Sequence, residues 1–155
     1  MLAAILRRHP SIEGILFDLP AVADRSRCVI SELGLSDRCQ IVGGDFFTSV
    51  PAADAYVLRH IVHDWDDAAA AAILRNCRQA MNPGGKILVI ETVIPPLNEP
   101  CFGKWLDLMM LIVGGRERTE EQYRHLFSQA GLRVSRIVPT AHEIGIVEGV
   151  PAVSY

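Results

Sequence analysis

The sequence lacks long hydrophobic stretches and long runs of basic residues. Its longest apolar stretches, at 86–93 and 106–113, are far shorter than the roughly 20 residues of a helix that crosses a bilayer. There are 15 Lys and Arg residues against 18 Asp and Glu residues, which gives a formal net charge of -3 at pH 7. We therefore expect a soluble protein with neither a membrane nor nucleic acid as a partner.

Cysteine motifs and export signals are also lacking. None of the 4 cysteines forms a CxxC pair, the motif that commonly binds zinc or exchanges disulfides. The chain opens with apolar residues followed by Arg7 and Arg8, the reverse of the order in a signal peptide. We therefore expect free thiols, no metal site and a cytoplasmic location.

Apolar periodicity predicts helices and strands that alternate along the chain. The predicted strands are 12–17, 39–42, 55–58, 86–93, 132–139 and 143–150. The predicted helices are one that ends before Pro10, one from Pro20 to the Gly34 cap, 68–81, 102–113, and one from Thr119 to Gly131. This alternation indicates an α/β fold, a three-layer sandwich with a mostly parallel sheet.

Length and strand character predict how the sheet is organised. With 155 residues, of which 50% are hydrophobic and 21% are charged, we predict a single domain over 1–155. Strand 86–93 is predicted to lie at the centre of the sheet, because strands that are covered on both faces lose their polar alternation. The last two predicted strands form an antiparallel pair at the sheet edge.

Two predicted helices begin with local capping signals. Asp66 or Asp67 is placed to cap the helix over 68–81, and Thr119 with Gln122 three residues later reads as a capping box. The adjacent acids Asp66 and Asp67 interact favourably with the dipole at the start of the helix over 68–81, so they do not indicate a metal site.

Two acids follow neighbouring predicted strands, where ligands of parallel sheets bind. Asp18 ends the first strand, a position from which a carboxylate accepts hydrogen bonds from ribose hydroxyls; the alternative is a cap for the helix that follows. Asp45 ends the next strand, and Phe46 beside it offers a platform for an adenine ring. Ordinary core packing is the alternative for Phe46.

The segment 60–65, HIVHDW, follows the strand over 55–58. A neutral imidazole at a strand end is suited to proton abstraction near pH 7, which makes His63 a candidate general base. Two carboxylates, Glu91 and Glu117, would orient this ring and raise its basicity if they flanked it. The alternative is that Glu91 pairs with an arginine and that Glu117 is a solvated surface charge.

Five strings carry a resemblance to a known family: FDLPAV at 17–22, GGDFFTSVPAADAYVLRHIVHDW at 43–65, NPGGKILVIE at 82–91, DLMMLIVGGRERT at 107–119 and AGL at 130–132. Together they resemble the S-adenosylmethionine-dependent O-methyltransferases of the plant caffeate and isoflavone type and their bacterial relatives, including hydroxyneurosporene methyltransferases. The resemblance spans essentially the whole chain. It implies a Rossmann-like class I methyltransferase fold, S-adenosyl-L-methionine as cofactor, and a small aromatic or hydrophobic molecule with a hydroxyl as acceptor.

The resemblance also implies roles for individual residues on the acceptor side. His63 is then the general base, and Glu91 and Glu117 are the acids that flank and orient it. Asp64 and Met110 resemble positions that contact the substrate. A helix-core role remains the alternative for Met110.

On the cofactor side, the resemblance assigns Asp18 to the ribose and Asp45 with Phe46 to the adenine. Arg59 matches a basic residue, lysine in the plant enzymes, that helps to hold the cofactor. Arginine keeps the charge but alters the geometry of the contact. No metal is implied.

Two features of the family are not in the sequence: a first strand with a glycine-rich DxGGGxG loop, and a helical dimerisation region before it. We therefore expect the C-terminal portion of such an enzyme, whose full-length form is a homodimer. Without its central first strand the sheet exposes apolar edges, so an inactive remnant is one alternative. A nicotinamide-dependent dehydrogenase fragment is another, which accounts for Asp18 but not for Asp45.

Overall fold

Helices and strands alternate in the computed structural model, which describes residues 1–140 and 143–152. The chain divides into two compact units, Met1–Pro51 and Ala52–Tyr155. The first unit contains α1 (Leu2–Arg8), β1 (Gly14–Asp18), α2 (Pro20–Glu32) and β2 (Cys39–Gly43). The second contains β3 (Ala53–Arg59), a 3-10 turn (Val62–Asp64), α3 (Asp67–Ala80), β4 (Met81–Ile94), α4 (Phe102–Met110), β5 (Arg118–Thr119), α5 (Glu120–Gln129), β6 (Leu132–Pro139) and β7 (Ile144–Pro151).

In the first unit, β1 and β2 pair in parallel, with Asp18 opposite Gly43. Pro20 begins α2, where its missing N–H costs no hydrogen bond. The core of this unit consists of Leu6, Ile30, Leu35 and Cys39. Because the strands are parallel, their carboxyl ends, and the acids that follow them, lie at one edge of the pair.

In the second unit, the sheet has the strand order β3-β4-β7-β6, and β5 pairs with β4. The pair β3 and β4 is parallel, whereas β7 is antiparallel to both of its neighbours. Helices α3 and α5 contribute fully buried apolar side chains to the core of this unit: Ala70, Ile73, Leu74, Leu126 and Phe127. The same core includes Ile87 and Val89 of β4.

The predicted α/β class is confirmed, and β4 lies inside its sheet between β3 and β7. The antiparallel pair is confirmed, with β6 as the edge strand; the turn predicted between its strands falls partly on 141–142, outside the described residues. The helix predicted over 102–113 is too long, because the chain leaves α4 at Met110. Gly114 follows with a φ of +84°, a left-handed conformation typical of helix ends. The single-domain assignment stays a prediction.

Within residues 1–140 and 143–152, no helix is long and apolar enough to cross a membrane. Nor does this part bring three or more His, Cys, Asp or Glu side chains together in a group that could hold a metal ion.

A polar network on the sheet of the second unit surrounds Glu148, which is only 8% exposed. Its carboxylate accepts hydrogen bonds from Ser135 Oγ at 2.7 Å, Arg136 Nη2 at 3.0 Å and Lys86 Nζ at 3.3 Å. These donors, Ser135 first, lower the pKa of Glu148 from 4.5 to about 2. The ionised carboxylate therefore stabilises the folded state.

We expect Glu148→Gln to lower the free energy of unfolding at pH 7 by about 2 kcal/mol, a value reduced for the solvent exposure of Arg136. Since the folded pKa lies below 4.5, the stabilisation is complete above that pH and is lost as the pH falls toward about 2. Urea denaturation at pH 7 and pH 3 should show the two proteins converging at the lower pH. The exposed Glu13→Gln is the control, and an equal gap between wild type and Glu148→Gln at both pH values would contradict this account.

Candidate active site

The segment that carries His63 begins where β3 ends. His60 adopts a φ of +51°, a conformation rare outside glycine, and donates its N–H to Ile90 O at 3.3 Å. The chain then forms the short 3-10 turn, in which Val62 is fully buried and His63 is 8% exposed. The imidazole is therefore largely shielded from water.

Glu91 of β4 fixes the backbone of this turn. Its Oε1 accepts the backbone N–H groups of Ile61 at 3.1 Å, Val62 at 2.7 Å and His63 at 3.2 Å. Its Oε2 accepts the hydroxyl of Tyr123 at 2.8 Å. Burial raises the pKa of this fully buried carboxyl, while the hydrogen bond from Tyr123 opposes the rise. Glu91 thus holds the main chain beneath the imidazole.

Glu117 contacts the His63 ring directly, with 2.7 Å between its Oε1 and the imidazole Nδ1. On the other side of the ring, Asp64 Oδ1 lies 3.5 Å from Nε2. The hydrogen bond with Glu117 raises the pKa of His63, against the opposing effect of desolvation, and the charges of Glu91 and Asp64 add to the rise. The ring is oriented through Nδ1, which leaves Nε2 as the nitrogen beside the half-exposed Asp64.

The alternative for the two acids does not match the structure. Glu117 is 1% exposed rather than at the surface, and the hydrogen-bond donors to Glu91 are backbone amides and a tyrosine rather than an arginine. The two acids also differ in what they hold. Glu117 orients the ring of His63, whereas Glu91 orients its backbone.

A close approach of two backbone segments brings Glu117 to the ring. Arg116 donates its N–H to His63 O at 2.8 Å, and a Cβ on Gly115 would overlap that same carbonyl oxygen. Glu117 donates its own N–H to Asp107 Oδ1 of α4 at 2.8 Å. The glycine of this motif is therefore required for the segment to reach the His63 turn.

Arg118, which is fully buried, ties the same turn to α3. Its guanidinium donates to Val62 O at 3.1 Å and to Trp65 O at 2.9 Å. It also donates to Asp67 Oδ1 from Nε at 3.0 Å and from Nη2 at 2.8 Å, while Arg116 reaches Asp67 Oδ2 at 3.2 Å. The sequence interpretation missed Arg118 and Tyr123, although an arginine within the GGRERT string was a signal for the first of them.

An apolar cavity of about 410 Å³ lies in the same unit. Its lining residues are His60, Thr92, Phe102, Leu106, Glu143 and Ile144. The His60 and His63 ring centroids are 5.3 Å apart, so the cavity wall is next to the candidate base. Met110 is 9% exposed at the end of α4, and its carbonyl accepts the N–H of Gly115 at 3.0 Å.

The predicted cofactor residues of the first unit lie at the carboxyl ends of β1 and β2. Asp18 Oδ1 accepts the N–H of Leu19 at 2.7 Å, and Leu19 rather than Asp18 is the N-cap residue of α2. Asp45 Oδ1 accepts the N–H of Phe47 at 2.8 Å, and the Phe46 and Phe47 rings pack edge to face with centroids 5.0 Å apart. Both carboxylates are exposed, and the backbone N–H groups of Leu19 and Phe47 bind one oxygen of each.

Glycines bring these two strand ends close to their neighbours. A Cβ on Gly43 would lie 2.9 Å from Pro20 Cα, and one on Gly44 would lie 2.6 Å from the Phe17 ring. The Gly-Gly pair before Asp45 is thus needed for close packing. In the second unit, Arg59 is exposed at the carboxyl end of β3.

Comparison with known proteins identifies the family to which the chain belongs. The family profile described as O-methyltransferase domain matches residues 1–133. The chain belongs to this family. The resemblance drawn from the five sequence strings is therefore confirmed.

Two curated relatives act in bacterial secondary metabolism. The chain is 50% identical over 153 residues to phenazine O-methyltransferase PhzM of Lysobacter antibioticus. This alignment covers 97% of this chain and 45% of that protein. It is 40% identical over 153 residues to mitomycin biosynthesis 6-O-methyltransferase of Streptomyces lavendulae, covering 96% of this chain and 43% of that protein. The chain thus spans less than half the length of these relatives.

Solved structures confirm the class I O-methyltransferase fold. LaPhzM matches with a TM-score of 0.92 at 50% identity, covering 97% of this chain and 46% of that one. NcsB1, an O-methyltransferase from neocarzinostatin biosynthesis solved with S-adenosylmethionine and 2-hydroxy-5-methyl naphthoic acid, matches with a TM-score of 0.88 at 39% identity, covering 97% and 45%. Membership in this family removes the support for a nicotinamide-dependent dehydrogenase fragment.

Proposed function

We propose that the protein transfers a methyl group from S-adenosylmethionine to a hydroxyl of a small aromatic molecule, with His63 as the general base. The observation that carries this proposal is the 2.7 Å contact between His63 Nδ1 and the buried Glu117. It supports an imidazole that is held in one orientation and made more basic, which is what proton abstraction from a hydroxyl requires.

The proposed step uses the neutral imidazole. The Nδ1–H of His63 donates a hydrogen bond to Glu117 and keeps its proton, so that the Nε2 lone pair receives the proton of the acceptor hydroxyl as the oxygen attacks the sulfonium methyl carbon. The cation that forms on the ring is stabilised by Glu117 on one side and by Asp64 on the other. We also propose Asp64 as a contact of the acceptor, because half of its side chain is exposed beside Nε2.

The hydrogen-bond acceptors at the strand ends of the first unit fit S-adenosylmethionine. Asp18 and Asp45 are exposed carboxylates with an oxygen available for hydroxyl or amino groups, and Phe46 offers an apolar ring face. We propose that Asp18 holds the ribose and that Asp45 and Phe46 hold the adenine. When bound, this cofactor supplies a sulfonium methyl group as the electrophile. The contact of Arg59 with the cofactor likewise remains a prediction.

The cavity beside His63 supports an aromatic acceptor. Its walls are largely apolar, and its volume of about 410 Å³ falls in the range of about 300–1,000 Å³ that is usual for small-molecule sites. Of the relatives named above, one is a phenazine O-methyltransferase, one belongs to mitomycin biosynthesis, and NcsB1 was solved with a naphthoic acid. We propose a polycyclic phenol as acceptor and keep Met110 as a proposed contact of it, although Met110 is not among the residues that line the cavity.

Two further proposals concern the whole protein. We propose a homodimer for a full-length form and a cytoplasmic location, both of which derive from the family resemblance and the cysteine pattern. Light scattering on a chain with the full length of the relatives tests the first proposal, and fractionation of cells tests the second.

The proposed activity is tested by transfer of a labelled methyl group from S-adenosylmethionine to dihydroxynaphthoate or hydroxyphenazine acceptors. Methylated product that requires the protein supports the proposal. A protein that is folded by circular dichroism but transfers no methyl group to this acceptor set would favour the inactive-remnant alternative.

We expect Asp18→Ala to raise the Kd of S-adenosylhomocysteine by about tenfold or more, equivalent to about 1.4 kcal/mol, because the carboxylate proposed to accept from the ribose hydroxyls is lost. Isothermal titration calorimetry measures the change. Asp37→Ala, another exposed acid of the first unit, is the matched control. Equal affinities of the wild type and Asp18→Ala would assign the ribose to another residue.

A further inference from the structure

We propose that Tyr123 is a positioning residue for His63 that acts through Glu91. The Tyr123 hydroxyl donates to Glu91 Oε2 at 2.8 Å, and Glu91 Oε1 accepts the N–H of His63 at 3.2 Å. Tyr123 and Glu91 are both fully buried, so water does not compete for this hydrogen bond. The inference rests on the proposed role of His63 as the base.

The hydroxyl determines which way the carboxylate of Glu91 faces. With Oε2 fixed by Tyr123, Oε1 is presented to the consecutive amides of Ile61, Val62 and His63. These three donors set the short turn from which the imidazole projects. Burial also raises the pKa of Tyr123 well above its usual value of 10.0, so the phenol stays protonated and remains a donor.

The same hydrogen bond keeps a negative charge near the imidazole. A buried carboxylate that loses a donor is protonated more readily, because desolvation already raises the pKa of Glu91. A neutral Glu91 no longer favours the cationic form of His63. Removal of the Tyr123 hydroxyl therefore affects both the position of the turn and the basicity of the ring.

Other groups around the ring do not depend on this hydrogen bond. Glu117 lies 2.7 Å from Nδ1, Asp64 lies 3.5 Å from Nε2, and the His60 ring centroid is 5.3 Å away. Their influence stays in place when Tyr123 is replaced by phenylalanine. A change in the pKa of His63 that is transmitted through Glu91 can thus be distinguished from the effects of these groups by removing the charge of Glu91.

The test is a double-mutant cycle read by NMR on the 155-residue chain. Tyr123→Phe, Glu91→Gln and the double variant are titrated, and the His63 ring and the amides of 61–63 are followed. We expect Tyr123→Phe to lower the pKa of His63 by about half a unit and to shift these amides. In the Glu91→Gln background, the same substitution should produce no further change in the pKa. Tyr56→Phe, which removes a hydroxyl from β3, is the control and should leave the pKa of His63 unchanged.

Two results would overturn the inference. One is that the His63 pKa and the amide shifts of 61–63 are the same in Tyr123→Phe as in the wild type. The other is that Tyr123→Phe changes the His63 pKa equally with and without the Glu91 carboxylate, which would indicate an effect of packing alone. If Tyr123→Phe does not fold, incorporation of 3-fluorotyrosine strengthens the phenol as a donor and should shift the amides of 61–63, and unchanged amides would overturn the inference. The NMR result does not require turnover. If the cycle shows coupling but His63→Ala retains full methyl transfer, the proposed role of His63 as the general base fails while the positioning contact stands.

Discussion

Replacing His63 with alanine should lower methyl transfer by about 10²–10⁴-fold, the contribution usual for a general base. The ring that is oriented through Glu117 at 2.7 Å is lost, and with it the Nε2 nitrogen that is proposed to accept the proton. The affinity for S-adenosylhomocysteine should be unchanged, because the proposed cofactor contacts are Asp18, Asp45, Phe46 and Arg59. Initial rates at saturating S-adenosylmethionine, together with calorimetry, measure the two effects.

The control for this substitution is His125→Ala, which removes an exposed imidazole from α5. It should retain the wild-type rate. A loss of less than tenfold in His63→Ala, with its fold preserved, would reduce His63 to a structural role. A loss of cofactor affinity that matches the loss of rate would likewise contradict its assignment as the base.

Replacing Arg118 with methionine should lower the free energy of unfolding by about 2–4 kcal/mol. The guanidinium is fully buried and donates to the carbonyls of Val62 and Trp65 and to Asp67. Methionine fills much of the volume but donates nothing, so both carbonyls lose the hydrogen bond from the guanidinium, and Val62 O keeps the N–H of Trp65 at 3.3 Å. The upper limit is set by Asp67, which is partly exposed and keeps Arg116.

Urea denaturation at pH 7 measures this change, and Arg133→Met is the control because Arg133 is exposed on β6. The control should differ from wild type by no more than about 0.5 kcal/mol. A stability of Arg118→Met within that margin would show that the clamp on the His63 turn is dispensable for folding.

Signals that act within a few residues were read correctly from the sequence. Asp66 caps α3 by accepting the N–H of Ala69 at 2.8 Å, and Thr119 and Gln122 form the reciprocal capping box. Both depend on residues three apart, whose geometry a helix start dictates. The strand β4 was predicted for a comparable reason, from its own apolar composition, although in the structure buried residues alternate with half-buried ones over 85–91.

Apart from the expectation that Glu91 and Glu117 flank His63, which the family resemblance implied, contacts between distant segments were not predicted. Tyr123 reads as an apolar position of α5, and nothing near it in sequence indicates that its hydroxyl meets Glu91 of β4. The sequence around Arg118 is similarly typical of a surface charge. In the structure Arg118 is buried and donates to Val62 O of the His63 turn. Such pairings depend on strand order and register rather than on local spacing. Glu91 was therefore correctly expected near His63, but it contacts the backbone N–H of His63 and not the imidazole ring.

The central claim, that His63 made basic by Glu117 removes the acceptor proton, is tested most directly by the pH dependence of methyl transfer. Because the hydrogen bond with Glu117 raises the pKa of His63 above 6.5, kcat/KM for the wild type should rise with pH through that raised value and then level off. Glu117→Gln removes the charge but keeps the shape, so its lower kcat/KM should rise at a lower pH. A rate that does not change between pH 5 and pH 9, or a rise at the same pH in both proteins, would contradict the account.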